Sequence, residues 1–301
     1  MTETHESKKI NTLKIPQFLG ISALYLLLAI VAVTMLFPFF WVVSTSLKLD
    51  TEIFSWPPVW IPSSLTLQQY VACLQTANFS LYLLNSTFVT IMRTVFTVVV
   101  ASLAGYAFAR LHFRGRNLLF LAVLATLMIP FQAVLIPLFL LVKWIPLAGG
   151  NDLFGRGGIG WIDSYWGLIV PGVANAFDIF LFRQFFITVP QELEDAARID
   201  GASDFGIFWR IMLPLSAAPT VVVIIFTFQS CWNEFLWPLV VIQSSKMRTV
   251  QLGLAQFSQQ HIVDWGPLMA GAVVASLPVI LIFLLMQRHF IQAVTTTGIK
   301  A

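Results

Sequence analysis

Seven charged side chains, Glu192, Glu194, Asp195, Arg198, Asp200, Asp204 and Arg210, crowd into residues 188–214 of a chain otherwise poor in charge. Phe205, Phe208, Trp209 and Met212 recur there at helical spacing, and Ala196 and Ala197 form a small-residue face that another backbone can approach closely. The chemistry such a set can do is recognition: exposed aromatics beside carboxylates make a protein docking surface. A helix pair lying in the membrane interface on the protein's own spans is the competing reading, but such helices favour Lys and Arg on their polar face, and this stretch is mainly acidic. No catalytic or metal-ligating set stands out; Cys73 and Cys231 have no metal or redox spacing and read as two unpaired thiols.

A second set of polar residues interrupts apolar runs. Arg93 stands eleven residues after Tyr82, near mid-depth of its segment, where a charge costs about 2.5–3.5 kcal/mol on insertion scales. Substrate contact, a subunit-interface pair, or a structural pair with Glu234 or Asp178 would each offset that cost. Gln229, Asn233 and Glu234 either line a path and bind hydroxyls or hold a broken helix together near Pro238. Asn175, Asp178 and Gln132 are further candidates. A third set, Gln251, Gln256 and Gln259, with Gln260 and Trp265, lies in a segment that either contacts a soluble partner or simply turns between spans.

These sets need a membrane to position them. Of 301 residues, 58% are hydrophobic and 10% charged, against roughly 25% charged in globular domains. One core cannot hide so much apolar surface, and the surplus calls for hydrocarbon as solvent. The net charge of +3 is small and is read by location, which gives no sign of nucleic acid. Six segments are apolar enough to span: about 18–46, 82–109, 116–143, 166–187, 215–242 and 264–288. The 33 uncharged residues between Lys14 and Lys48 exceed a cleavable apolar region and read as a retained first span. With the N-terminus inside, eleven Lys and Arg fall on the inner side and five on the outer, so both termini are expected in the cytoplasm.

The outward segments are about 47–81, 143–165 and 243–266. Trp56-Pro57-Pro58 and Pro62 forbid a continuous helix in the first, and six glycines make the second a turning loop. Pro130 and Pro137 are expected breaks in the third span. Within 188–214, Pro190 suits a first helical position, Gly201 a left-handed helix end, Ser203 a second cap, and Pro214 a stop before the fifth span.

The run Asp195-Ala196-Ala197-Arg198-Ile199-Asp200-Gly201-Ala202, followed by Ile211-Met212-Leu213-Pro214, resembles the EAA motif of ABC importer permeases, with gapless spacing between its two parts. Ser46-Leu47-Lys48 with Glu52-Ile53-Phe54, Ala104 to Arg110, and Trp232 to Leu239 are similar to segments of the carbohydrate-uptake, maltose-type branch, which also holds glycerol-phosphate permeases. The resemblance implies an all-α membrane protein with six transmembrane helices, the MetI-like permease fold with cytoplasmic coupling helices. Residues 1–17 would be a cytoplasmic segment, 18–290 the permease domain, and 291–301 a cytoplasmic tail. It implies a bacterial inner-membrane, non-catalytic subunit without cofactor, importing a sugar or related polyol.

Its partners would be a second permease, two ATP-binding subunits and an extracytoplasmic binding protein. The chain lacks a G-x-x-x-x-G-K-[ST] phosphate cradle, so ATP would be bound by the partners. The motif places ATPase coupling on Glu194, Asp195, Ala196, Ala197, Asp200, Gly201, Ala202, Phe205, Phe208, Leu213 and Pro214. One departure stands out: Asp195 replaces the motif's leading Glu, keeping the charge and shortening the reach by one methylene, and Glu194 beside it is an alternative carboxylate. The readings outside this class are an ion-gradient-driven secondary transporter or channel using Arg93, Asp178 and Glu234, and a non-transport scaffold.

Overall fold

A computed structural model gives the fold, describing residues 14–76, 78–259 and 262–298. Its regular structure is helical, apart from a two-residue antiparallel pairing of Ser258–Gln259 with Ile262–Val263 among the described residues. Three helices are continuous and apolar enough to cross a membrane: Gly20–Ser46, Phe79–Arg110 and Trp265–Gln287. Three further pairs qualify only together: Arg116–Met128 with Phe131–Lys143, bent by 110°; Tyr165–Gly172 with Ala176–Thr188, bent by 45°; and Asp204–Leu215 with Ala217–Trp232, bent by 77°.

With each bent pair taken as one span, the count is the six that the sequence predicts, and the expected break in the third is present. The third breaks at Pro130, where Ile129 is extended (φ −90°, ψ 118°), as the residue before a proline is pushed to be. Pro137, the other expected break, instead lies inside the helix Phe131–Lys143. The fifth span is a 16-residue helix, Ala217–Trp232, an interruption at 233–235, and a short helix Leu236–Val241. The breaks leave backbone groups that hydrocarbon cannot satisfy, and the Trp237 indole answers one of them, four residues before Pro171 in the bent fourth span, while the Trp232 indole reaches a carbonyl of the continuous helix Trp265–Gly298. Trp232 Nε1 donates to the Ala275 carbonyl and Trp237 Nε1 to the Gly167 carbonyl, each at 2.9 Å.

Contacts gather the chain into two compact units, one holding residues up to Cys73 with Asp264–Val273, the other Leu74–Val263 with residues from Val274 on. In the first, the segment after the first span is knotted: Gln69 Nε2 donates to the Lys48 carbonyl and to Asp50, Ser46 meets Tyr70 at 2.9 Å, and the Lys48 ammonium lies 4.3 Å from the Trp41 ring.

In the second, the Phe79–Arg110 helix is the axis against which Ala176–Thr188 and Ala217–Trp232 pack. Gly105 makes a close crossing with Ala176–Thr188: a Cβ there would stand 2.6 Å from the Phe182 Cβ. Around it Tyr106, Phe182, Phe186, Ile207, Phe208 and Met212 form one buried cluster. Val89, Leu168, Trp237 and Val241 belong to a second cluster toward the other end of the same helix. The two cysteines are free, as the sequence implies.

Candidate functional site: the 188–214 loop and the intramembrane polar residues

The loop folds as a helix, a turn and a helix. The first helix is Glu192–Ile199, starting two residues after Pro190, and its first turn holds Glu192, Glu194 and Asp195 at the positive end of the helix dipole. Gly201, at φ +82°, ends it. The Ala202 N–H reaches the Ala197 carbonyl at 2.9 Å and the Gly201 N–H the Arg198 carbonyl at 3.0 Å, closing the last turn in the Schellman pattern. Ser203 caps the second helix, its hydroxyl accepting from the Gly206 N–H at 3.2 Å.

Pro214 does not stop that helix. A π-turn over Phe208–Met212, with the Leu213 N–H reaching the Phe208 carbonyl, precedes the proline. The wider turn shifts the hydrogen-bond register just where the proline lacks an N–H, and the helix runs on to Leu215. The 77° break falls at the buried Ser216.

One cation holds the loop to the spans. Arg110, the last residue of its helix, places Nε 2.9 Å from Glu194 Oε1. Its Nη2 donates to the Phe186 carbonyl at 2.7 Å and to the Val189 carbonyl, capping the C-terminal end of Ala176–Thr188. Glu194 is 2% exposed; burial raises its carboxyl pKa, and Arg110 and Arg198 offset part of that rise. Arg198 spans the turn, 3.6 Å from Glu194, 3.6 Å from Asp195 and 3.1 Å from Asp204.

The expected docking set therefore divides. Glu194, Ala197 and Phe208 are buried against the chain's own spans, as is Met212, which corrects the outward placement expected of them. Phe208 packs on Tyr106 with ring centroids 5.5 Å apart. Ala202 and Leu213 are half-buried, whereas Asp195, Ala196, Asp200, Gly201, Phe205 and Pro214 are exposed, together with Ile199 and Trp209. Phe205 and Trp209 stack at 6.4 Å, an apolar surface left uncovered on the same loop as the exposed Asp195 and Asp200. The alternative that Glu194 stands in for the motif's leading carboxylate does not fit its burial; Asp195 is the outward one.

Arg93 Nη1 lies 3.3 Å from Glu234 Oε2, which is the structural pairing among its three readings, and its guanidinium rests against Gly172. Glu234 sits in the interruption of the fifth span, beside the exposed Asn233; Gln229 is exposed one turn earlier. Gln251 Nε2 is 3.3 Å from both the Trp232 carbonyl and Asn233 Oδ1, so one residue of the outward segment joins the intramembrane set. Gln256 ends the helix Val250–Gln256 and Gln259 lies in the short strand pairing, while Gln260 falls outside the described residues.

Sequence reasoning missed the residues that fix these parts. Arg110 enters the sequence reading as an inner-side cation and as the end of the Ala104 to Arg110 segment, not as a partner for the acidic loop. Asn85 donates to the Lys246 and Arg248 carbonyls at 2.8 and 2.9 Å and accepts from the Tyr165 hydroxyl at 2.7 Å. Asp163 accepts from the Gln243 and Ser244 backbone N–H groups and the Ser244 hydroxyl. No group of three His, Cys, Asp or Glu able to hold a metal ion occurs among the described residues.

Residues 97–296 match the model of the binding-protein-dependent transport system inner membrane component family. The chain belongs to this family. An arabinooligosaccharides transport system permease protein of Halalkalibacterium halodurans is 34% identical, over 90% of this chain and 94% of that protein. A lactose transport system permease protein of Rhizobium radiobacter is 31% identical, over 89% and 92%. An sn-glycerol-3-phosphate transport system permease protein of Pectobacterium atrosepticum is 34% identical, over 81% and 84%. The fold is also that of a chain in the crystal structure of a bacterial ABC transporter involved in import of the acidic polysaccharide alginate: TM-score 0.77, 22% identity, covering 96% of this chain and 100% of that one.

As an inner membrane component of this family, the chain is the multi-pass permease of an ATP-driven importer, and hydrolysis belongs to a partner ATPase. The permease family works with a second permease, an ATPase and a substrate-binding protein. The ion-gradient and scaffold readings fall with that assignment.

Proposed function

We propose that this permease forms one half of the pathway for a sugar or related polyol, and that it receives the force of ATP binding through the exposed face of residues 188–214. The observation that carries the second part is the division of the loop. Asp195, Ala196, Asp200, Gly201, Phe205 and Trp209 face away from the chain, while Glu194 and Phe208 fasten the same loop to the span ends. A surface presented on a clamped element transmits displacement, and the ATPase biases a two-state membrane domain through its differential contacts. Leu213 and Pro214 carry the motion into the fifth span.

The substrate class rests on the relatives, whose names include arabinooligosaccharides, lactose and sn-glycerol-3-phosphate. Arg93, Gln229, Asn233 and Glu234 line the pathway in this reading, and Gln251, Gln256 and Gln259 face the binding protein. The assembly is a heterodimer of permeases on two ATP-binding subunits, residues 18–290 acting as one membrane domain. Both termini are cytoplasmic, as the Lys and Arg asymmetry supports.

Cysteine scanning against the assembled ATPase tests the docking face. A cysteine at Ala196 is expected to crosslink to the ATPase, and one at the buried Ala197 is not. Equal crosslinking at both positions, or none from 195 to 205, would sink this reading.

A further inference from the structure

The turn between the second and third spans holds charges that neither the coupling loop nor the intramembrane set uses. Arg110 ends one helix and Arg116 begins the next, so residues 111–115 lie where the two spans meet the edge of the apolar layer. They border a recess of about 490 Å³, lined by His112, Arg114, Arg116, Asn117 and Leu118 among others. No carboxylate lines it, and none lies within ion-pair distance of Arg114, Arg116 or Arg183 among the described residues.

Three guanidiniums gather here. Arg183, from the fourth span, rests 4.1 Å from the ring of Phe120, one turn beyond Arg116, and Arg116 acts on it as a like charge. Arg183 gives one N–H to the Phe108 carbonyl at 3.3 Å and Arg116 one to the Leu111 carbonyl at 3.1 Å, and a guanidinium carries five. Arg114 is exposed and has no hydrogen bond or ion pair among the described residues. Like charges gathered without an acid repel one another, and a planar guanidinium matches phosphate oxygens in pairs. The ligand that complements this cluster is a phosphate carrying net negative charge.

The surroundings choose the source of that phosphate. Leu118 and Leu121, one turn apart on the same face of the third span, are 72% and 62% exposed, and Leu118 itself borders the recess. Hydrocarbon is the solvent of that span, so an acyl chain lying along these leucines brings its headgroup to the level of Arg114 and Arg116. A soluble phosphate meets the same charges without the apolar track. A zwitterionic headgroup brings a cation of its own into a site that already has three.

We propose that residues 112–118, with Arg183, form a binding site for an anionic phospholipid, its phosphate held by the Arg114 and Arg116 guanidiniums and its acyl chains lying along Leu118 and Leu121.

The test uses the complete importer complex in nanodiscs, with a fluorophore on Leu121→Cys; Cys73 and Cys231 are buried. Brominated phosphatidylglycerol or brominated phosphatidylcholine, at equal mole fraction in a phosphatidylcholine disc, quenches by contact and reports which lipid lies beside position 121. Phosphatidylglycerol is expected to be enriched there about tenfold or more, since each guanidinium near an anionic lipid is worth about fivefold. Arg114→Gln should lower the preference about fivefold, and Arg114→Gln combined with Arg116→Gln should erase it. Arg156→Gln, the same loss of charge at an exposed position of the loop 143–165, should leave it intact. The Arg114 side chain holds nothing in the fold, so its single variant decides the matter even where the double variant fails to assemble. Equal quenching by the two lipids in the wild type overturns the proposal. So does a preference unchanged in Arg114→Gln, or reduced as much by Arg156→Gln. Loss of the preference on adding inorganic phosphate at constant ionic strength would assign the site to a soluble anion and overturn the lipid.

Discussion

Removing Arg110 tests the clamp on which force transmission depends. The side chain forms the 2.9 Å pair with Glu194 and carries the carbonyls of Phe186 and Val189. In Arg110→Ala the Glu194 carboxylate stays buried with only Arg198 in reach, at 3.6 Å and with a side chain 42% exposed. Breaking a buried pair by deleting one partner costs about 3–5 kcal/mol. Arg198 recovers part of that, which leaves about 3 kcal/mol, enough to raise the population of loops detached from the span ends by about a hundredfold. Arg110→Lys keeps the charge but cannot fork to the carboxylate and both carbonyls, and should fall between. The assay is solute transported per ATP hydrolysed in proteoliposomes holding the full complex and its binding protein. The expected result is an ATPase subunit that still binds while transport per ATP drops at least tenfold. An unchanged ratio in an Arg110→Ala complex would refute the clamp.

Three further outcomes are expected. Glu194 has a folded pKa raised by burial, so the folded chain holds its proton more tightly than the unfolded one. This contribution favours folding below the ordinary glutamate value and weakens as pH rises through the folded value, while the ionic clamp exists only above that value; transport per ATP should therefore fall on acidification sooner than an ordinary glutamate would titrate, and Glu194→Gln should abolish that dependence. Asp163 behaves oppositely: its partial burial is outweighed by the hydrogen bonds from Ser244 and Gln243, which lower its pKa, so its contribution is present above the ordinary aspartate value and is lost as pH falls through the folded one, measurable as hydrogen exchange at 243–244 and blunted in Asp163→Asn. Gly105→Val should force the second and fourth spans apart at the 2.6 Å approach, costing about 1–3 kcal/mol as overpacking does, and lower the yield of assembled complex.

Much of the loop could be read from its residues because its signals are local. Gly201 takes the left-handed conformation and Ser203 caps, as their types and spacing require. What failed depended on neighbours far along the chain. Phe205, Phe208, Trp209 and Met212 form one stripe in sequence, yet Phe208 and Met212 turn inward because Tyr106 and Phe186, from two other spans, offer them a core. Hydropathy located the third and fifth spans and Pro130 marked the break in the third, but the bend angles were not legible, since an apolar run looks the same straight or bent. Arg110 and Asn85 escaped notice because their partners lie 84 and 161 positions away. Among the intramembrane residues the Arg93–Glu234 pairing was foreseen as one option, and only coordinates choose it.

Trp232 and Trp237 bracket the three-residue interruption in the fifth span, each tied by its indole to the backbone of a different helix. The interruption is thus a hinge with both leaves bolted, and the freedom left there lies in about six backbone torsions. The Glu234 carboxylate stands on the short stretch between these two anchors and 3.3 Å from Arg93 Nη1, so its position is set from three different helices at once.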